Sequence, residues 1–280
     1  MMKKTFKIGG THPNDSKISS SCKIEVLPLP KTVYVSMAQH LGAPAKPIVE
    51  VGAELKTGQV IAEPGGFISA FVHSPVTGTV KSIAPRQDLA GNWMTHIEIT
   101  VADEEVWAEG IDTTKDIVTK LPEDNAFIID RIKSNGVVGL GGATFPTHVK
   151  LCPPPGKKAD CLILNGAECE PYLTSDNRIM IERSREIVSG IEVQVLKKKY
   201  PQGGEKQLIA AVMGREVKSM GLPIDVGAVV QNVATSLAVY EAVQKNMPLI
   251  TNTMTITGDC LGKEHQHNYL FRIGMPLSYI

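Results

Sequence analysis

No uninterrupted apolar run in these 280 residues approaches the roughly 18 that a membrane-spanning helix requires, so the chain is not expected to cross a bilayer. A secretory leader is also missing. The opening MMKKTFKIGG is basic but has no apolar stretch of about 7–15 residues and no small-residue cleavage site, and the expected compartment is cytosolic. Net charge of either sign is absent: 29 Lys and Arg balance 29 Asp and Glu, which removes the usual footprint of a nucleic-acid groove, a polybasic anchor or an acidic tail. No nucleic acid is expected among the partners. Clustered cysteines are lacking too. Cys22, Cys152, Cys161, Cys169 and Cys260 are scattered, odd in number and form no C-x-x-C pair. That pattern supports neither a disulfide framework nor a complete zinc or iron–sulfur site. What remains is a chain that is 42% hydrophobic, enough for a sizeable core in one large domain or two ordinary ones.

Residues 22–60 alternate apolar and polar positions in short runs (CKIEVLPLP, TVYVSM, PIVEVG) broken by Pro and Gly, the signature of short strands. Between Val51 and Ile83, turn residues at Gly52, Lys56-Thr57-Gly58, Pro64-Gly65-Gly66 and Thr77-Gly78 separate four further strands, a small sandwich or barrel. Glu123–Ser134 carries apolar residues at helical spacing just after Pro122, and a boundary is expected near residue 105. From Gly136 onward the pattern changes. CLILNG (161–166), IEVQVLK (191–197) and VGAVVQN (226–232) read as strands. They alternate with helices at Ser175–Val188, capped by Ser175 or Asp176, at Gly204–Met213 and at Ala234–Lys245. Such alternation predicts an α/β half with a mostly parallel sheet. The last thirty residues read as two strands and the start of a helix.

Four strand ends finish in polar or glycine-rich loops. The first, Gly139-Leu140-Gly141-Gly142-Ala143-Thr144-Phe145-Pro146, follows Val137-Val138 and precedes Lys150. Glycines so placed let backbone N–H groups approach an anion, although a glycine-rich strand-to-helix turn with no ligand has the same appearance. The second, Asn165-Gly166-Ala167-Glu168-Cys169-Glu170-Pro171-Tyr172, follows CLIL and places two acids and an amide where parallel sheets bind ligands, or else forms a helix-capping acidic loop. Tyr200-Pro201-Gln202-Gly203-Gly204-Glu205-Lys206 and Gln231-Asn232-Val233-Ala234-Thr235 are the third and fourth. Together the four outline a crevice for a phosphate-bearing cofactor.

The G-x-G-G-A-x-F-P loop, the N-x-x-E-x-E-P loop, the glycine–glutamate loop and the N-V-x-T segment occur here in the order that they take in the flavin-bearing, NADH-oxidising subunit of respiratory complex I. The wording GLGGATFP, LNGAECEPYLTSDNR and YPQGGEKQLI more closely resembles the RnfC family of bacterial Rnf electron-transport complexes. GGTHPNDSK and HSPVTGTV resemble the amino-terminal region of the same family, so the likeness covers essentially the whole chain. It implies a barrel-sandwich hybrid over residues 1–104, a Rossmann-like parallel α/β flavin domain over 105–250, and the start of a soluble-ligand-binding β-grasp domain over 251–280. It also implies FMN and NADH as cofactors. Gly139, Gly141 and Gly142 match the loop over the flavin phosphate and ring, and Lys150 a basic contact. Asn165, Asn232 and Thr235 match side chains on the ribityl–phosphate part. Glu168, Gly203 and Glu205 match positions near the flavin and nicotinamide, Phe145 an aromatic that stacks on NADH, and Glu170 an acid that meets the nucleotide ribose. No residue is expected to act as acid or base on carbon.

The implied role is that of a peripheral subunit on the cytoplasmic face of the bacterial inner membrane, in an ion-translocating complex. It would exchange electrons between NADH and iron–sulfur centres through a flavin, with the other subunits as partners and ferredoxin reached indirectly. The resemblance departs at Leu140, where complex I has arginine, and at Ala167, where it has aspartate, so identical holding of the nucleotide is not implied. It also departs after Ser175–Val188. There a strand–helix–strand crossover is expected, whereas Ser189-Gly190 leads almost at once into IEVQVLK, and a parallel connection needs at least about 10–12 residues. Two cysteine-rich ferredoxin-like clusters are implied beyond this carboxyl end. [4Fe–4S] centres are therefore expected only in a full-length protein, and this chain reads as a truncated, internally shortened fragment, inactive alone. At the tip of a hairpin pair resembling biotinyl and lipoyl domains stands Pro64-Gly65-Gly66-Phe67 without a lysine, which favours a scaffold over a carrier and makes His73 a turn or core residue. His265 and His267 form an H-x-H pair in a polar turn with no third ligand evident, and no metal is expected. Two rival readings are an assembly scaffold with a vestigial flavin site and the related subunit of a sodium-pumping NADH:quinone reductase.

Overall fold

The computed structural model describes residues 5, 9–88, 91–120, 122–187 and 199–279. Eight strands come first: β1 (Ile24–Val26), β2 (Thr32–Ser36), β3 (Lys46–Pro47), β4 (Glu54–Leu55), β5 (Val60–Glu63), β6 (Val72–His73), β7 (Gly78–Gln87) and β8 (Trp93–Val101). Helices α1 (Asn125–Ser134) and α2 (Thr147–Lys150) precede β9 (Cys161–Asn165), α3 (Ser175–Glu182), α4 (Ser184–Ile187) and α5 (Glu205–Met213). Then follow β10 (Ala228–Asn232), α6 (Val233–Lys245), β11 (Thr251–Ile256) and β12 (His267–Arg272). The architecture is mixed α/β. Among the described residues no helix is long and apolar enough to cross a membrane. Two compact units form, each from separated stretches: Met1–Glu25, Leu151–Leu237 and Thr253–Tyr269 in one, and Val26–Lys150, Ala238–Asn252 and Leu270–Ile280 in the other.

In the unit holding Val26–Lys150, two antiparallel sheets form with the orders β2-β8-β7-β4 and β3-β5-β6. The turn residues read from the sequence fall between their strands, except Gly78, which opens β7. Alternation sets the buried face: in β2 the buried residues are Val33 and Val35, and register places Val33 opposite Ile99 and Val35 opposite Ile97 of β8. Val80 of β7 also faces Ile99, so Val33, Ile99 and Val80 form one apolar row across three strands. The β7–β8 register shifts between Val80 and Ser82, an irregularity that bends the long pair and gives the sheet its curl. Each such buried side chain contributes about 1.5–3 kcal/mol relative to exposure. Trimming Ile99 to valine is accordingly expected to cost about 0.5–1.5 kcal/mol. Thermal unfolding followed by tryptophan fluorescence checks this, because the only two tryptophans, Trp93 and Trp107, lie in this unit.

His73 is buried on β6, and burial lowers its pKa to about 4 against a raising backbone bond at Ser134. It is therefore a neutral core residue at physiological pH. Phe67, at the lipoyl-like hairpin tip, is exposed. Helix α1 starts two residues inside the expected range: Asp124 is its cap, accepting from the N–H of Ala126 at 2.8 Å, and Arg131 and Lys133 in the last turn favour the helix dipole.

In the other unit, β9 and β10 pair in parallel with Cys161 beside Ala228 and Asn165 beside Asn232. Ile163, Ala228 and Val230 of this pair pack with Leu208 and Ile209 of α5. The helix expected over Ser175–Val188 is divided: Arg183 leaves helical geometry at φ −123°, ψ 29°, and α4 resumes at Ser184. Neither Gly nor Pro marks the break in sequence. Val188 and the expected strand IEVQVLK (191–197) lie outside the described residues. Helix α5 begins at Glu205 after a Gly204 cap, and α6 begins at Val233, one residue before its expected start.

Candidate functional site

The two parallel strands end side by side on asparagines, and both side chains turn back onto the backbone that follows. Asn165 Oδ1 accepts from Ala167 N at 3.1 Å while its Nδ2 donates to the carbonyl of Gly203 at 2.8 Å. Asn232 Oδ1 accepts from Ala234 N at 2.9 Å and Thr235 N at 3.2 Å, capping α6, and its Nδ2 donates to Asp176 Oδ2 at 2.6 Å. Each asparagine thus shapes its own loop and ties it to a neighbouring one. Thr235 is fully buried in the first turn of α6.

Glu168 caps α3 from outside the helix. Its carboxylate accepts from Asp176 N at 2.8 Å and Asn177 N at 3.2 Å, with Ser175 Oγ at 3.4 Å. Thr174, the residue at the cap position, makes no side-chain cap bond. The cap expected from Ser175 or Asp176 is therefore supplied by an acid several residues upstream, and the capping reading of the acidic loop holds for Glu168. Glu170 is exposed. Burial pushes the Cys169 thiol pKa up, and its sulfur accepts from Gly203 N at 3.2 Å. A side chain at Gly203 would put its β-carbon 2.6 Å from the carbonyl oxygen of Ala167 and 3.0 Å from the Cys169 sulfur, so the second and third loops meet backbone to backbone at that glycine. Glu205 begins α5.

Asp176 escaped the sequence reading except as a possible cap. Burial first, then the charge of Glu168, pushes its pKa up to about 7, opposed by the bond from Asn232 and reinforced by Glu170. Beside the third loop, His12, Pro13, Asn14, Asp15, Lys199 and Tyr200 line a cavity of about 350 Å³. Buried in β10 next to Asn232, the amide nitrogen of Gln231 has no hydrogen-bond partner.

The glycine loop belongs to the other unit. Val138 bridges Pro146, and Gly139 N donates to Phe145 O at 2.9 Å, closing a neck below an exposed tip at Gly141, Gly142 and Ala143. Gly142 takes φ +115°, a left-handed conformation that side chains resist, and nothing lies within 4 Å of where its β-carbon would point. Phe145 and Lys150, the last residue of α2, are half-buried. The hydroxyl of Thr147 and Nδ1 of His148 are buried without partners, two groups that the sequence reading passed over. An open glycine tip and orphaned buried donors fit a phosphate-bearing ligand such as FMN, each set in its own unit.

His265 lies in a short turn and His267 opens β12. Among the described residues no group of three or more His, Cys, Asp or Glu side chains is arranged to hold a metal ion.

These features define a two-part class: a curled β sandwich joined to an α/β unit with cofactor-type loops at its strand ends. Residues 4–105 match the RnfC barrel sandwich hybrid domain. Residues 132–195 and 189–241 match the Nuo51 FMN-binding domain in two overlapping pieces. The chain is 40% identical to the C component of the proton-translocating ferredoxin:NAD(+) oxidoreductase complex of Clostridium ljungdahlii, over 98% of this chain and 66% of that protein. It is 37% identical to the C component of the Na(+)-translocating ferredoxin:NAD(+) oxidoreductase complex of Acetobacterium woodii, over 99% of this chain and 70% of that one. The C component of an ion-translocating oxidoreductase complex of Pseudomonas aeruginosa is 35% identical, over 95% of this chain but only 38% of its own length. The chain belongs to the RnfC family, whose members are components of ion-translocating oxidoreductase complexes. This is the family that the four loops resemble.

Proposed function

We propose that the chain is the flavin-bearing electron-transfer part of such a protein, exchanging electrons between NADH and iron–sulfur centres on the way to or from ferredoxin. Its place is peripheral, at the cytoplasmic face of a bacterial inner-membrane complex whose other subunits are its partners. The domain assignment that goes with this reading is a barrel-sandwich hybrid over residues 1–104, a Rossmann-like flavin domain over 105–250 and the start of a β-grasp domain over 251–280. The observation that carries it is the pair of asparagines ending two parallel strands, since ligands in parallel sheets sit at the carboxyl ends of strands.

In this reading Asn165, Glu168, Gly203, Glu205, Asn232 and Thr235 form the flavin wall at the strand ends of their unit, and the loop of Gly139, Gly141 and Gly142 with Lys150, in its own unit, offers backbone N–H groups and a cation to a phosphate. Asn165, Glu168 and Asn232 act by fixing loop backbone, to which Asn165, Glu168 and Asn232 Oδ1 are bonded, while Asn232 Nδ2 holds the Asp176 side chain. Glu170 meets the nicotinamide nucleotide. When bound, the flavin supplies the exchange of electron pairs with a nicotinamide and of single electrons with iron–sulfur centres. The protein's part is to bind, orient and exclude water.

Glu170 gives the sharpest test, in a chain carrying the additional segment that the relatives have near residue 189. Glu170→Ala is expected to weaken NADH about tenfold, the loss of one ribose hydrogen bond, and to leave FMN retention unchanged. NADH titration followed by loss of the yellow flavin absorbance measures both. Equal NADH affinity in the two proteins would refute the nucleotide role, and colourless protein that still joins the complex would favour the scaffold.

A further inference from the structure

The amino-terminal motif GGTHPNDSK has no task in the function proposed above, yet it lies along the acidic loop. Lys17 Nζ donates to three backbone carbonyls of that loop, those of Leu173 at 2.6 Å, Glu170 at 2.8 Å and Glu168 at 2.9 Å. On one side of the lysine, Asp15 O accepts from Tyr172 N at 2.9 Å. On the other, the hydroxyls of Ser19 and Thr174 lie 2.6 Å apart, both buried. Tyr172 itself sits at φ +70°, a conformation unfavourable for a residue with a side chain, so the loop needs outside support to keep its curl.

Three carbonyl oxygens converging on one point repel each other through their partial negative charges unless a positive donor lies between them. An ammonium group has three donors on a compact point charge, which suits that geometry, whereas a planar guanidinium spreads its donors along a fork. We propose that Lys17 is a positioning residue of the nucleotide site: its ammonium occupies the place of a bound cation among the carbonyls of Glu168, Glu170 and Leu173 and fixes how the loop presents Glu170. The assignment rests on the reading of Glu170 as the acid that meets the nucleotide.

Hydrogen exchange and NADH titration, both in a chain carrying the additional segment that the relatives have near residue 189, test the two parts separately. In Lys17→Ala the amides of residues 168–174 are expected to exchange about tenfold faster or more while those of β10 stay slow, because only local opening is affected. Propylammonium, a soluble replacement for the missing side chain, should restore slow exchange. The NADH dissociation constant should rise about tenfold as Glu170 loses its fixed direction. Lys17→Arg, which keeps the charge and guards against a misfolded alanine variant, should show the same faster exchange. Unchanged exchange in both variants would overturn the clamp. Faster exchange with unchanged NADH affinity would overturn the positioning role, and absence of NADH binding by the unsubstituted protein carrying that segment would overturn the functional reading beneath it.

Discussion

Asp176→Asn should make the unit containing β9 and β10 more stable at pH 8.5 and leave it nearly unchanged at pH 4. The Asp176 carboxyl is pushed up to about 7 by burial and by the neighbouring Glu168, with Glu170 adding to the effect and the Asn232 amide opposing it. In the unfolded chain the same group titrates at the ordinary carboxylate value, near 4. Between these values the folded state binds more protons than the unfolded one, so stability falls as pH rises. The contribution is fully present below pH 4 and is lost by the time pH has passed 7. Asparagine accepts the same bond from Asn232 and cannot ionise, so it keeps that stability at alkaline pH. The full linkage is about 4 kcal/mol, and the first turn of α3, whose dipole favours an anion, reduces the expected gain to about 2–4 kcal/mol. Tryptophan fluorescence does not report on this unit, since both tryptophans lie in the other. Hydrogen exchange of the β9 and β10 amides at the two pH values is the suitable measurement. An equal difference between the proteins at pH 4 and pH 8.5 would show that Asp176 does not titrate as described.

The sequence made local structure legible and long-range association much less so. Turn glycines and prolines mark the strands of the β sandwich because their backbone requirements are local, and helical spacing locates α1, α5 and α6 to within two residues. The break at Arg183 had no such mark: Ser, Arg and Glu are acceptable on either side of it, and only the geometry of the folded chain shows it. At the site, the two loop asparagines and Glu168 stood out as residue types that bind ligands, and the same chemistry also lets them cap helices and close loops. Choosing between those uses requires knowing which N–H groups lie within reach. Lys17 is further from view still. Its partners are more than 150 residues away and are backbone carbonyls, which leave no trace in the identity of the residues that carry them. Asp176 was visible only as a helix-start residue because its high pKa comes from burial, a property of the packed unit.

Titration of this chain with FMN is expected to give a dissociation constant above about 10 μM, and insertion of the relatives' additional segment to tighten it about a hundredfold, near 2.7 kcal/mol. The alignments to the Clostridium and Acetobacterium proteins extend over 310 and 322 residues although this chain has 280, so those relatives carry residues that it does not. The FMN-binding match breaks into 132–195 and 189–241, which puts the discontinuity beside Ser189-Gly190. Among the described residues β9 pairs with β10 alone, and Leu162 of β9 is 59% exposed. Parallel strands are ordinarily covered on both faces, and the exposed leucine leaves one face of this pair open. The turns, caps and core on either side remain mutually consistent, and the chain should fold. Cofactor affinity depends on more than that. A flavin wall is built from several strand ends held in one geometry, and losing a crossover removes one end together with the apolar contacts that exclude water from the ring. The loops at Asn165 and Asn232 would then supply the affinity that remains. Calorimetric titration of both chains with FMN decides the matter: submicromolar binding by the chain without the insertion would mean that the crossover is dispensable and that the wall is complete as it stands.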